Sequence, residues 1–281
     1  MRAERWACVL ICTLAVGLMS GCASLDRDAH AQTLAEAGGL HRETVQGGPF
    51  VLTAFSRITR PDAPVRIYIE GDGLAWLSRT EPSLDPTPVA ATGLALAAAD
   101  TSPNVVYLAR PCQFTPMSQN PTCNVRYWTG KRFAPEVVDA MNDAVGRIAA
   151  RVPGQRVGLV GYSGGGAIAA LVAARRDDVL SLRTVAGNLD VAYVNRLHGV
   201  SAMPASLNPI DTAARLATIA QLHFSSAQDT VVPPEVAKRF AAAVGGSCVR
   251  TVVVAGVAHD GDWATRWPAL LAQAPGCHAP R

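Results

Sequence analysis

From residue 50 onward, short apolar runs alternate with longer stretches whose apolar positions recur every three to four residues. Short apolar runs bounded by Gly, Pro, Asn or Asp suit buried strands, and the longer period suits amphipathic helices. The pattern predicts strands over 50–56, 65–70, 104–109, 156–162, 182–186, 219–225 and 249–255. It predicts helices over 89–100, 134–151, 164–175, 234–244 and about 262–272. Pro135 does not argue against the second helix, because the first turn needs no N–H at that position. Strands alternating with helices mean βαβ units, hence a mostly parallel central sheet with helices on both faces. Residues 22–48 are polar and broken by Gly38-Gly39 and Gly47-Gly48-Pro49, which reads as a tether with a short helical stretch at 29–37. No repeat and no linker follows, so 49–281 is expected to be one α/β domain.

The first 21 residues follow a different pattern. Arg2 and Arg5 precede an apolar run from Cys8 to Met19, the length of a secretory signal core and too short to span a bilayer. Its end, Leu18-Met19-Ser20-Gly21-Cys22, resembles the bacterial lipoprotein box, with Met19 where Leu is usual. The resemblance implies removal of residues 1–21 and lipidation of Cys22. One acyl chain binds a membrane only marginally, whereas several hold firmly. Ala23 stands where an Asp would mark inner-membrane retention in some bacteria. The expected location is therefore the bacterial cell envelope, lipid-anchored, with the outer membrane favoured over the inner.

Composition adds exclusions. With 49% hydrophobic and 17% charged residues, the 281-residue chain is no disordered polymer and suits one large α/β domain. The net charge is +3 with no block of five like charges, which argues against a nucleic-acid surface. Lys131 and Lys238 are the only lysines, so the Arg excess reads as coding bias. Of seven Cys, Cys8 and Cys12 belong to the signal and Cys22 to the anchor. The remaining Cys112, Cys123, Cys248 and Cys277 are an even number in an oxidising compartment, which suits two disulfides. Three pairings are open. The local one, Cys112–Cys123 with Cys248–Cys277, is expected over the others and over free thiols. Neither Cys-x-x-Cys nor His-Glu-x-x-His occurs, so a metal site is not expected, and the chemistry read below needs no metal or organic cofactor.

The candidate chemistry starts at Gly161-Tyr162-Ser163-Gly164-Gly165, a Gly-x-Ser-x-Gly sequence. Alone it is weak. Here a predicted strand runs in and a predicted helix runs out, the context in which such a turn lifts a serine above a sheet edge. Small neighbours are needed because the turn is sterically tight. A Walker loop is excluded, since no Lys-Ser or Lys-Thr follows. A serine hydroxyl needs a base. His259 lies in the loop after the last predicted strand. His223 sits inside an apolar strand and reads as core, His30 and His41 lie in the tether, and His278 in the tail. His198 is the remaining rival. The base needs a carboxylate. Asp229 follows the strand at 219–225, with Asp190 as the other choice. Asp is also common as a plain turn or cap residue in such places.

The order Ser163, Asp229, His259 resembles that of the α/β-hydrolases, and the resemblance covers nearly all of 50–272. It implies an α/β-hydrolase fold and a Ser-His-Asp triad working through an acyl-enzyme. Gly164 N–H would be one oxyanion donor, and the other would come from Glu70-Gly71-Asp72-Gly73. Matched to the family's His-Gly-x-Gly, Glu70 replaces the His and Asp72 offers its backbone N–H. Glu-Gly-Asp-Gly with Trp76, Arg110-Pro111-Cys112 and Arg126-Tyr127-Trp128 also resemble a group of bacterial lipoprotein hydrolases of uncharacterised substrate. The irregular stretch 188–218, with Pro204 and Pro209, would be a short cap insertion. If Cys112–Cys123 closes, 110–132 becomes a rigid flap beside the site or a plain surface loop. Trp263 and Trp267 share one helical face and read as core. The expected function is hydrolysis of a small acyl-containing substrate, a carboxylic ester first. A thioesterase, amidase or peptidase would use the same residues, and a catalytically silent binding module is the rival of another class. The oligomeric state is left open.

Overall fold

The computed structural model describes residues 26–277; the signal segment and Cys22 lie outside the described residues. The strands are β1 His41–Gly47, β2 Phe50–Ile58, β3 Val65–Ile69, β4 Asn104–Leu108, β5 Val157–Tyr162, β6 Val179–Val185, β7 Ala220–Ser226 and β8 Val249–Val254. They form one eight-stranded sheet in the order β1-β2-β4-β3-β5-β6-β7-β8. β1 and β2 make an antiparallel hairpin and β2 runs antiparallel to β4; the other neighbouring pairs are parallel.

Among the described residues seven α-helices flank the sheet: α1 (26–37), α2 Thr92–Ala98, α3 Pro135–Ala149, α4 Gly164–Ala173, α5 Val191–Leu197, α6 Pro234–Val244 and α7 Trp263–Leu271. One apolar core joins β3 and β5 to α3, α4 and α6, and another joins the opposite face to α1, α2 and α7. α3 shows why its sequence is helical: Val137, Met141, Ala144, Val145 and Ile148 recur on one buried stripe. α4 is buried all round, which explains its Gly- and Ala-rich, uncharged sequence.

The tether expectation is corrected from residue 26 on. Residues 26–37 are helix and 41–47 are an edge strand paired residue for residue with β2. The sequence there reads as polar because α1 is anchored largely by small Ala31 and Ala35, and β1 buries chiefly Val45. The helix predicted over 89–100 is also shorter, because Ala91 takes a left-handed conformation just before it. Within 188–218 the structure places α5 and a 3-10 segment, Pro209–Leu216, both packed on the core.

Candidate active site

The chain moves outward from β3 to β4, then returns to β5 on the other side of β3. Such a switch point opens a crevice at the carboxyl ends of the two strands. Ile69 pairs with Gly161, so Glu70–Gly73 and Ser163 leave the sheet side by side. Ser163 sits between β5 and α4 with φ 49° and ψ −119°, a region costly for a residue with a Cβ. The turn is held by Ser163 N–H donating to Val185 O at 3.0 Å. Its carbonyl accepts from Gly166 and Asn188 N–H, each at 2.9 Å. Gly165 packs against the end of β3 so tightly that a Cβ there would overlap the main chain of Ile69 and Glu70.

The three side chains expected to work together meet. His259 Nε2 lies 3.0 Å from Ser163 Oγ. His259 Nδ1 lies 2.7 Å from Asp229 Oδ2. Asp229 Oδ1 accepts Val231 N–H at 2.8 Å and Val232 N–H at 2.7 Å, and its side chain is fully buried. A carboxylate already accepting two N–H groups offers its second oxygen as an acceptor, so Nδ1 carries the proton and Nε2 faces Ser163 as an acceptor. The His259 carbonyl accepts from both Tyr162 Oη and Trp263 Nε1 at 3.0 Å. The Gly256 end of the loop is fixed by Gln228, whose Oε1 accepts Gly256 N–H at 2.7 Å. Burial raises the Tyr162 phenol further, keeping it a neutral donor. Sequence reasoning missed Tyr162, Gln228 and the polar role of Trp263. Tyr162 beside the serine was the available signal; bonds to main-chain carbonyls leave no other.

The loop after β3 supplies the second wall. Glu70 is buried, and its Oε1 accepts Gly71 N–H at 2.8 Å and Gly93 N–H at 3.1 Å. The N–H of Gly71 is thus committed, whereas those of Asp72 and Gly164 make no hydrogen bond among the described residues. The Asp72 carboxylate lies against Gly164, where any Cβ would overlap it. Its Oδ1 accepts from Arg110 Nη1 at 3.0 Å and its Oδ2 lies 3.3 Å from Arg132 Nε. Both guanidinium groups pack on the Phe133 ring. Burial lowers the Arg110 pKa and Asp72 opposes that. Two cations therefore outweigh the anion that the sequence puts beside the serine.

Asp190 does not join the triad. It caps α5 through Tyr193 N–H at 3.1 Å and pairs with Arg239 at 2.9 Å. His198 Nε2 lies 2.8 Å from Val231 O, and the histidine at Ser163 Oγ is His259. His223 is core: it bonds Thr184 Oγ1 at 2.9 Å, and burial pushes its pKa down to about 3. His30 and His41 are exposed, and His278 lies outside the described residues. Both disulfides form in the local pairing, Cys112–Cys123 and Cys248–Cys277. The flap 110–132 is pinned: Trp128 Nε1 donates to Ser83 O at 2.9 Å, and Asn120 bridges the Val51 backbone. Its two ends supply Arg110 and Arg132. Trp263 and Trp267 are fully buried.

No family model matches the sequence, and no curated protein matches it in sequence. Solved structures do match in fold. One is a membrane phospholipase A described as a bacterial virulence factor, at 17% identity, 97% of this chain, 98% of that chain and TM-score 0.55. Another is the esterase domain of a Rhodothermus marinus protein, at 15% identity, 82% and 94% coverage and TM-score 0.55. A third is a lidless α/β serine hydrolase from Xanthomonas campestris, at 15% identity, 83% and 94% coverage and TM-score 0.52. With the strand order and the helices on both faces, this likeness establishes that the chain has the α/β-hydrolase fold.

Proposed function

We propose that the protein is a serine hydrolase that cleaves carboxylic esters through an acyl-enzyme. The observation that carries this reading is the unbroken relay Ser163 Oγ, His259 Nε2, His259 Nδ1, Asp229 Oδ2, with links of 3.0 and 2.7 Å. In the proposed reaction Ser163 Oγ attacks the acyl carbonyl while its proton passes to His259 Nε2. Asp229, held by two backbone N–H groups, stabilises the imidazolium without taking its proton. The uncommitted N–H groups of Gly164 and Asp72 receive the developing oxyanion, at the positive end of α4. His259 then protonates the leaving alkoxide. Water, deprotonated by the same nitrogen, releases the acid and restores Ser163.

Strain at Ser163 and a buried carboxylate on His259 are costly features that a binding module has no use for, which favours turnover. An ester is preferred because its carbonyl is more electrophilic and its alkoxide a better leaving group than an amide's amine, so it asks least of the same serine and base. Thioester, amide and peptide substrates share the acyl chemistry and differ only in the leaving group. We further propose that Cys22 carries a lipid anchor in the bacterial envelope, which the two disulfides suit, since they persist in oxidising compartments. The test is intact mass after treatment with a fluorophosphonate, paired with a panel of short- and long-chain p-nitrophenyl esters. One adduct on the native protein, none on Ser163→Ala, and ester turnover lost in that variant are expected. A folded protein with both disulfides closed that takes no adduct and turns over no ester would overturn the reading.

A further inference from the structure

A cavity of about 420 Å³ opens far from Ser163, around the amino-terminal ends of β3, β4 and β5 and along β6. Gly158 lines it near the start of β5, five residues before Ser163, a separation of roughly 16 Å along an extended strand. Its charged lining is Arg66 and Arg183; no carboxylate lines it. Arg183 projects from β6 and is only 6% exposed. Nη1 donates to Ser181 Oγ at 3.1 Å and Nη2 reaches Gln273 O at 3.5 Å. Nε is buried with no partner. A guanidinium has five N–H donors, so most of this one is uncommitted.

The balance of charge is also incomplete. Arg66 is ion-paired to Asp100 and donates to Ser102 Oγ at 2.8 Å. Asp100 also accepts the Tyr68 hydroxyl at 2.8 Å, and Tyr68 is held neutral by burial. Two arginines thus face one carboxylate, which leaves one buried positive charge. Burial, then repulsion from Arg66, pushes the Arg183 pKa down to about 10, so it stays protonated near neutrality. A buried charge without a partner is unfavourable unless something supplies the opposite charge. Beside the charges the lining is apolar, with Pro64, Pro103, Leu180 and Pro275.

We infer that this cavity is a second binding site, separate from the Ser163 centre, for a small molecule with a carboxylate or phosphate head and an apolar body. The head would take the free edge of Arg183, whose planar fork suits either oxyanion, with the Ser102 and Ser181 hydroxyls beside it. The body would lie along the prolines and Leu180.

The test is calorimetric titration of the full chain with inorganic phosphate, propyl phosphate and hexanoate, at ionic strength held constant with chloride. Saturable binding of at least one probe at millimolar concentration or below is expected. Preference for the phosphates or for hexanoate identifies which head the site takes. Arg183→Met should abolish binding. It should also melt no lower than the native protein in chloride alone, because it removes an unpaired buried charge. Leu180 is 43% exposed, so Leu180→Glu leaves the core intact. It sets a carboxylate at the cavity mouth and should weaken binding at least tenfold. No saturable binding of any probe, or binding undiminished in Leu180→Glu, would overturn the inference.

Discussion

Glu70 is the residue at which this chain departs most from the fold's usual chemistry. Its carboxyl is buried, with Oε2 unpartnered and the equally buried Tyr107 hydroxyl as its neighbour. Burial raises its pKa above the ordinary 4.5, against the pull of the Gly71 and Gly93 N–H groups. The unfolded chain then releases this proton near 4.5 and the folded chain only at higher pH. The folded state binds more protons in that window, so this group makes stability fall as pH rises through it. Glu70→Gln keeps an acceptor for both N–H groups and removes the titration. Over a series from about pH 4 to pH 8, its melting temperature relative to the native protein should therefore rise as the pH passes the ordinary 4.5 and level off once the folded carboxyl has ionised. A difference that stays flat over that series would show that Glu70 is not a buried, raised carboxyl. At this scale the hydrogen-bonded set Ser163, His259 and Asp229 was readable from residue type and place alone, because each member follows a strand that its own apolar run marks out. What was not readable is what braces it: Tyr162 and Trp263 act on a main-chain carbonyl, which any residue would present.

At the scale of elements, the loop after β3 and the flap 110–132 work as one unit. Asp72 brings a negative charge next to Gly164, and an anion there opposes an oxyanion. Arg110 and Arg132, one from each end of the flap, outweigh it by one charge. On the proposed function, Arg132→Met leaves Asp72 paired with Arg110 alone and removes the net positive charge that two guanidinium groups and one carboxylate leave beside the oxyanion position. Turnover number should fall about ten- to a hundredfold, roughly 1.4–2.7 kcal/mol of barrier, with KM little changed. Adding Asp72→Asn restores that net positive charge and keeps the backbone N–H, and should recover most of the loss. Stopped assays on the single and double variants decide it: no rescue by Asp72→Asn would mean Arg132 acts through packing on Phe133 instead. The alternation of strands and helices was legible because β3, β4 and β5 are buried on both faces and hence apolar but for Arg66 and Asn104 near their starts. β1 was not, since an edge strand with one face in solvent buries too few side chains to leave a pattern. α5 was hidden for a related reason: seven residues are too few for a period to declare itself.

Over the whole molecule, the two disulfides divide the site between them. Cys112–Cys123 closes the flap that carries Arg110 and Arg132 at its ends, a separation of 11 residues. Cys248–Cys277 spans 29 residues and encloses β8, the His259 loop and α7. That segment is the sheet's exposed margin: β8 is an edge strand with Val253 half in solvent. Fewer apolar contacts hold it than hold β5, so a covalent tie there restrains the part of the fold most free to detach. Loop-closure entropy alone assigns about 3.6 kcal/mol to a 29-residue loop and about 2.8 kcal/mol to an 11-residue one. The double variant Cys248→Ser/Cys277→Ser should therefore melt lower by something on the order of 10 °C. Cys112→Ser/Cys123→Ser should lose less by this argument alone. Cys112, however, is 1% exposed with φ 74°, so its removal also disturbs buried packing. Scanning calorimetry of the two variants separates these contributions. A larger loss for Cys248–Cys277 means that chain entropy governs. A larger loss for Cys112–Cys123 means that packing around the flap, and with it the seat of Arg110 and Arg132, governs instead. If neither variant melts lower than the native protein, the margin carrying His259 is held by its contacts alone, Trp263 and Trp267 chief among them.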